Sequence, residues 1–391
     1  NGLITTVDSN VPRLEYPLID GVVNGCPSLK LEPQSTNLLP YSEDFSQSNW
    51  TKSGASVTSG FTSPDGTANA LKLVETNSLS SHFIYNQPIS ATIGNKYSFS
   101  IFAKKGERDY IVLGTQTSID TYFNLSTGVI TSSPVGVTST ITSLVNGYYK
   151  CSITWTATAS TESIYIYNTA NGTTRTSYQG DGTSGVYIWG AQLEGSNGLG
   201  TFDGSYPTSY IKSNSGSPTT RSAETANGSG DAATFNDSEG VLMAEISALA
   251  DDGTVRSIAI SGSVTNDVVR IYYDGVSNGL TAFVYDGAYQ TVFTTVLNNI
   301  TENNKIAFSY KLNQFKLFIN GLQIGSTDVS GNVPNGLNTL SFDNGYGLED
   351  FYGKTKQIQY YNSALTDSEL EKISSWTSFS DMANGQQYSI I

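Results

Sequence analysis

Asn37-Leu38-Leu39-Pro40-Tyr41-Ser42-Glu43-Asp44-Phe45-Ser46-Gln47-Ser48-Asn49-Trp50 opens a run of short segments in which apolar and polar residues alternate, and that run closes at 185–194. A period of two sends successive side chains to opposite faces of a strand, so the run reads as strands with one face buried. The stretch 37–50 itself reads as the first strand of a β-sandwich. The strands expected after it span 98–104, 109–114, 138–144, 148–155, 163–168 and 186–193, most of them bounded by Gly, Asn or Asp. Even spacing without a helical period is the pattern of a sandwich. In 98–104, Phe99, Ile101 and Ala103 share the core face, whereas Ser98, Ser100 and Lys104 face water; Phe102 is the exception on that outer face.

Working outward, 391 residues are too many for one small core and fit two domains of ordinary size. Charged residues make up only 14% of the chain, and 38 Gly and 24 Tyr accompany many Ser, Thr and Asn, a composition of turn-rich β structure. Residues 1–36 hold short apolar runs broken by Pro12, Pro17, Pro27 and Pro33, with Asp20-Gly21 and Asn24-Gly25 as turn signals; they read as an N-terminal attachment segment built on a hairpin. The first sandwich is expected over 37–212. The Ser/Gly-rich stretch 213–234 has too few apolar groups to offset the entropy of ordering and reads as a linker. A second series of strands follows at 240–246, 255–261, 268–273, 280–285, 289–294, 305–310, 314–320, 322–326, 339–342 and 356–361, within a jelly roll expected over 235–380 and followed by a tail, 381–391. Asp274-Gly275, Asp286-Gly287 and Asn320-Gly321 sit where two-residue hairpin turns demand positive φ. One helix is expected near 367–374, where Thr366 and Glu369 have capping-box spacing and Leu370 and Ile373 form an apolar stripe that would plug one end of the second sandwich. The fold class is therefore all-β: two antiparallel sandwiches in tandem behind a short N-terminal hairpin segment.

The formal charge of −14 and pI near 4.4 argue against a nucleic-acid partner, because such partners are gripped by basic stripes and none is present. No run of about 18 apolar residues occurs and the first residues lack the basic-then-apolar order of a signal peptide, so no membrane insertion is expected. Cys151 shares its parity with Ile153 and Trp155 and reads as a buried free thiol rather than a partner for Cys26. Two cysteines and the single histidine leave no zinc cluster, and His82 reads as a surface or edge residue.

Catalytic patterns are missing as well. Nucleophilic chemistry would have to use His82, and the adjacent acidic pairs Glu43-Asp44, Asp251-Asp252 and Glu349-Asp350 would point to opposite faces of a strand, which suits solvated charge better than an acid/base couple. No enzyme is expected, carboxylates gathered from distant strands being the one remaining route. A calcium site is conceivable in the residues themselves, since Ca²⁺ takes six to eight oxygens: Glu43 and Asp44 near the first strand, with Gln192 and Glu194 in the last, would meet if those strands are neighbours. The alternative is plain charge at strand ends. Aromatic rings give the ligand hypothesis. Tyr165 and Tyr167 oppose Ile164 and Ile166, and Tyr187 and Trp189 oppose Val186 and Ile188, so all four rings fall on outer faces. Such rings stack on sugars, pack on a neighbouring subunit, or lie under the protein's own loops; the sequence leaves these open.

Asn37–Phe45 with Trp50, then Asn146-Gly147-Tyr148-Tyr149-Lys150-Cys151-Ser152 and Gly190-Ala191-Gln192-Leu193-Glu194, resembles a carbohydrate-binding-module-like β-sandwich of bacteriophage fibre and spike proteins. Val11-Pro12-Arg13-Leu14 with Leu31-Glu32-Pro33-Gln34-Ser35-Thr36 looks like the lead-in of those proteins, and Tyr206-Pro207-Thr208-Ser209-Tyr210-Ile211 with Thr220-Arg221 like their exit. The second domain is similar to concanavalin A-like lectin/glucanase and laminin G-like jelly rolls, through Phe318-Ile319-Asn320-Gly321 and Phe351-Tyr352-Gly353-Lys354 with the run from Gln357 to Leu370. That sandwich hosts lectins, adhesins, hydrolases and lyases alike; the Glu-x-Asp-x-x-Glu strand of its retaining glycosidases is absent here. The resemblance implies a virion-surface appendage that binds host cell-surface polysaccharide, joined to other virion proteins through its N-terminal segment and assembled as a homo-oligomer, a trimer by analogy. It also strengthens the case for a structural Ca²⁺. A glycan-cleaving hydrolase or lyase, or a purely structural capsid or tail decoration, is the alternative.

Overall fold

A computed structural model describes residues 2–8, 10–19, 21–196, 202–262 and 266–376; the expected tail, 381–391, lies outside them. The chain is almost all antiparallel β and forms two compact units, one of residues 1–9, 16–25 and 33–223, the other of residues 10–15, 26–32 and 224–391. Among the described residues no helix is long and apolar enough to cross a membrane.

The first unit is a sandwich of two six-stranded sheets. One runs Val129–Ser132, Asp120–Asn124, Tyr110–Thr115, Ile164–Thr169, His82–Asn86, Trp50–Ser53; the other runs Thr138–Ser143, Tyr149–Thr156, Lys96–Lys105, Gly185–Gly195, Ala70–Glu75, Ala55–Phe61. Alternation sets the core: Phe99, Ile101, Ile153, Ile188 and Leu193 from one sheet meet Ile84, Ile111, Leu113, Ile164 and Ile166 from the other. Cys151 is a free thiol in this core, as its parity predicts, and burial pushes its pKa up. Ser98 and Ser100, expected in water, are buried, because the outer face of this sheet is covered.

The opening stretch is not a strand. Pairing stops at Asn37, where Ser35–Asn37 lies beside Thr219–Arg221, and resumes at Trp50. Between them Pro40 has no N–H to give a ladder, Tyr41 adopts φ +53°, and Asp44 caps a turn by accepting from the Ser46 amide at 3.0 Å. The segment is nonetheless core: Leu38, Leu39, Phe45 and Trp50 are buried.

The second unit pairs a seven-stranded sheet, Leu14–Glu15, Ser28–Leu31, Gly353–Tyr361, Glu239–Ala248, Asn304–Lys311, Phe315–Ile319, Leu322–Asp328, with a five-stranded one, Tyr289–Val296, Gly279–Asp286, Asp267–Tyr273, Arg256–Gly262, Leu337–Ser341. All ten strands expected from 240 onward form. At Asn320 (φ +50°) and Gly321 (φ +85°) the two-residue turn is as the dipeptide dictates. Asp274-Gly275 instead begins a longer loop, in which the positive φ falls on Asn278.

Two elements differ from expectation in role. Residues 10–15 and 26–32, read as attachment, extend the seven-stranded sheet: Leu29 pairs with Leu14 on one side and Thr355 on the other. Their edge is tied by Lys30 to Glu15 (2.6 Å) and Glu32 (3.0 Å), and by Arg13 to Glu32 (2.8 Å) and Glu224. Helix Asp367–Ser374 has the full capping box, but it does not plug an end. It lies on the outer face of the seven-stranded sheet, because Val241, Met243, Ala307 and Phe318 make that face apolar and Leu370 seals it.

Candidate functional site

The residues that carry the motif resemblance form a hydrogen-bonded knot that closes the first sandwich. Asn37, fully buried, donates from Nδ2 to the Ala191 and Ile211 carbonyls (3.1 and 2.9 Å), and its Oδ1 accepts from the amides of Leu39 and Leu193 (3.2 and 3.1 Å). Gln192 donates to the Thr208 and Ser209 carbonyls and accepts from the Ile211 amide. Glu194, also fully buried, accepts from the Ser35 hydroxyl at 2.5 Å, the Thr208 amide at 2.9 Å and the Thr208 hydroxyl, and burial raises its pKa. Glu43 accepts from Lys212 (2.6 Å), Asn69 (3.0 Å) and Tyr210 (3.1 Å).

The opening segment and the last strand, Gly185–Gly195, are therefore neighbours, as the calcium reading required, but the four candidate ligands do not share a site. Asp44 spends its oxygens on Ser46 and Gln47, and the other three hold the chain over 208–212. Their oxygens already have protein donors, so this donor set does not fit a cation. Among the described residues no group of three His, Cys, Asp or Glu could hold a metal.

His82 corrects the surface reading. Its parity with Ile84 turns it inward, where it is buried with Nδ1 at the Gly54 carbonyl and Nε2 3.3 Å from the Tyr178 carbonyl. The acidic pairs are not simple solvated charge either. Asp252 grips buried Arg256 at 2.8 and 2.9 Å, and Glu349 pairs with Arg270.

The four aromatic candidates fall on two sheets with opposite fates. Trp189 and Tyr187 lie on the outer face of the sheet centred on Lys96–Lys105, but that face is sealed. Trp189 is 1% exposed, packed against Phe102 at 5.3 Å and Tyr210 at 4.7 Å, with Ile4 beside it. The knot that fixes Tyr210 thus removes Trp189 from reach of a ligand. Tyr187 is half-buried against Phe61.

Tyr165 and Tyr167 lie on the outer face of the other sheet, and the register brings two further rings beside them. Tyr85 pairs with Tyr165 and Phe83 with Tyr167. The rings form a ladder: Tyr85 and Tyr165 are stacked with centroids 5.0 Å apart, Tyr165 and Tyr167 at 6.0 Å, Phe83 and Tyr167 at 4.7 Å. Phe83, Tyr85 and Tyr165 are half-buried, whereas Tyr167 forms the floor at 6% exposure. Phe83 and Tyr85 were missed in the sequence, although alternation in Ser81-His82-Phe83-Ile84-Tyr85-Asn86 places both opposite Ile84.

Arg175 closes one end of the ladder. Its guanidinium carbon stands 4.7 Å from the Tyr167 ring centre, one nitrogen donates to the Tyr167 hydroxyl, and Nε is 2.9 Å from Asp120. Burial pushes the Tyr167 phenol up to about 12 and also raises Asp120, with Arg175 opposing both shifts. Gly114 pairs with both Asp120 and Tyr165 across the sheet, and a Cβ there would meet Asp120 Oδ1 at 2.4 Å. The result is an apolar ridge edged by phenol hydroxyls and by an arginine whose charge is balanced.

No protein-family model and no curated protein matches the chain. Among solved structures it is similar to the Ruminococcus gnavus IT-sialidase CBM40 bound to α2,3-sialyllactose, at 15% identity over 39% of this chain and 97% of that one, with a TM-score of 0.32. It is similar also to domains LG4-5 of the mouse laminin α1 chain (12% identity, 74% of this chain and 90% of that one, TM-score 0.26) and to CG-16, a homodimeric agglutinin from chicken liver (10%, 35% and 99%, TM-score 0.24). At these identities the similarities are likenesses of shape and assign no function.

Proposed function

We propose that the first unit binds saccharide on the ridge formed by Phe83, Tyr85, Tyr165 and Tyr167. The observation that carries this reading is the ladder of rings left on an outer sheet face, Phe83, Tyr85 and Tyr165 half-buried over the Tyr167 floor. Sugars present apolar C–H faces and a rim of hydroxyls, which suit ring faces and phenol tips together. The balanced Arg175–Asp120 pair and the acidic chain favour an uncharged sugar over an anionic one. A glycan array followed by titration tests it: the full chain is expected to bind neutral oligosaccharides, and Tyr85→Ala with Tyr165→Ala to weaken binding about tenfold or more, ~1.4 kcal/mol. Undiminished binding by that double variant would refute the assignment.

Placement of this role on a phage-type appendage is supported by the motifs around Asn37–Phe45 and Gly190–Glu194. Immunogold labelling of particles that carry the protein tests the placement, and label away from any projecting structure would refute it.

A further inference from the structure

Each unit has two outer sheet faces, and two of the four are sealed by the chain itself: Tyr210 and Ile4 cover Trp189 and Phe102, and Leu370 covers Met243 and Phe318. The ridge described above is the third. The fourth, on the five-stranded sheet of the second unit, has no comparable apolar lid among the described residues and carries the same apparatus.

On that face Val269, Ile271 and Val284 point to the core, so Arg270, Tyr272, Phe283 and Tyr285 point outward. The Arg270 guanidinium carbon lies 4.2 Å from the Tyr272 ring centre and 5.6 Å from that of Phe283. Its Nη2 donates to Ser257 Oγ at 2.7 Å and pairs with Glu349. Tyr289 stands nearly perpendicular to Phe283 (81°) and to Tyr285 (79°), each at 5.2 Å, and is 65% exposed.

The chain over 343–350 is folded against this face: Ser257 donates its amide to the Glu349 carbonyl at 3.1 Å, and Gly345 sits where a Cβ would meet Ser261 at 2.9 Å. It brings Tyr346, 39% exposed, to the same side, and burial and the nearby Asp267 raise that phenol's pKa. Asp267 and Asp286 pair at the hairpin end on the parity of core-facing Val269 and Val284, and Asp267 is buried, accepting from the Asn335 amide at 3.0 Å. Arg270 is neutralised by Glu349, so this guanidinium offers the face no surplus positive charge.

We propose that this face, centred on Tyr285, Tyr289 and Tyr346, is a second saccharide-binding site that takes neutral sugars: exposed rings offer stacking surface, phenols offer hydrogen bonds to sugar hydroxyls, and with Arg270 paired to Glu349 on a chain of net charge −14 no surplus positive charge favours uronates or sulfated sugars. The inference extends the reading of the first unit but stands on separate residues, so the two fail separately. Titration of the full chain with neutral oligosaccharides selected on an array tests it, using Tyr285→Ala with Tyr289→Ala in the second unit and Tyr85→Ala with Tyr165→Ala in the first. Tyr289 is exposed enough that its truncation leaves the fold, and unchanged thermal melting confirms that. The expected result is two sites per wild-type chain, one lost in each double variant with at least tenfold weakening there. One site that is insensitive to the Tyr285/Tyr289 change overturns the proposal and leaves the first-unit reading intact; loss of all binding on that change alone overturns the first-unit reading instead. Binding of no neutral oligosaccharide overturns both, and concentration-dependent dimers abolished by Tyr289→Ala would identify a second copy as the occupant and overturn the proposal.

Discussion

At the scale of single residues, buried polar groups do two different jobs in this chain. Asn37 satisfies all its hydrogen-bonding capacity with backbone, so Asn37→Ala orphans several buried groups and is expected to destabilise by about 2–4 kcal/mol in urea unfolding. Glu162 is the reverse case. It is fully buried, Trp155 Nε1 donates to one oxygen at 3.2 Å, the other oxygen has no partner, and burial raises its pKa. The folded carboxyl keeps its proton to higher pH than the unfolded one. Its contribution is thus complete below the unfolded pKa and is lost as pH rises through the folded value. Glu162→Gln is expected to be more stable than the parent at pH 7 by about 1–3 kcal/mol, with the difference shrinking on acidification; a constant difference from pH 7 to 4 would contradict this. Gly114→Ala is expected to displace Asp120, loosen Arg175 and weaken saccharide binding while melting changes little, which titration and calorimetry check side by side.

At the scale of elements, parity was the most legible signal. It placed the inner face of Lys96–Lys105, all ten strands of the second unit and the outward direction of Tyr165 and Tyr187. It could not say what covers an outer face. Trp189 and Tyr165 have equivalent patterns in sequence, and only the path of the chain through Tyr210 buries one and spares the other. The helix shows the same limit, since its capping box and stripe were readable, while its seat on the sheet depends on Met243 and Phe318 from strands far away in sequence. Two variants separate these contributions: Thr366→Ala is expected to cost about 1 kcal/mol through the lost cap, and Leu370→Ala about 2–5 kcal/mol through the cavity beneath it. Equal costs would mean that the helix does not depend on its packing.

At the scale of the whole molecule, the sequence allowed two cores to be counted but misjudged the borders. Residues 10–15 and 26–32 look detachable because prolines break them into short runs, yet the seven-stranded sheet takes up Leu14–Glu15 as its edge strand and Ser28–Leu31 as the next one in. The stretch 213–234 looks like a tether because it is small and polar, yet Thr219–Arg221 pairs with Ser35–Asn37, and Ser229 pairs with Leu340. Short strands of this kind borrow their stability from a neighbour and leave little periodicity to read. The candidate site was legible in half: Tyr165 and Tyr167 from alternation, but Phe83, Tyr85 and Arg175 only from register. On the proposed reading each chain carries two weak saccharide sites, and linked binding of that kind raises avidity by about 10²–10⁴ where geometry lets both engage. A chain mutated on either face is expected to lose retention on an immobilised polysaccharide far more than its monovalent affinity falls.

The ridge on the first unit is tested most directly by carbene footprinting of the full chain with and without a saturating neutral oligosaccharide. Labelling of Phe83, Tyr85 and Tyr165 is expected to fall while that of Tyr187 stays constant. Unchanged labelling of those three rings at saturation would contradict a saccharide-binding role for this face.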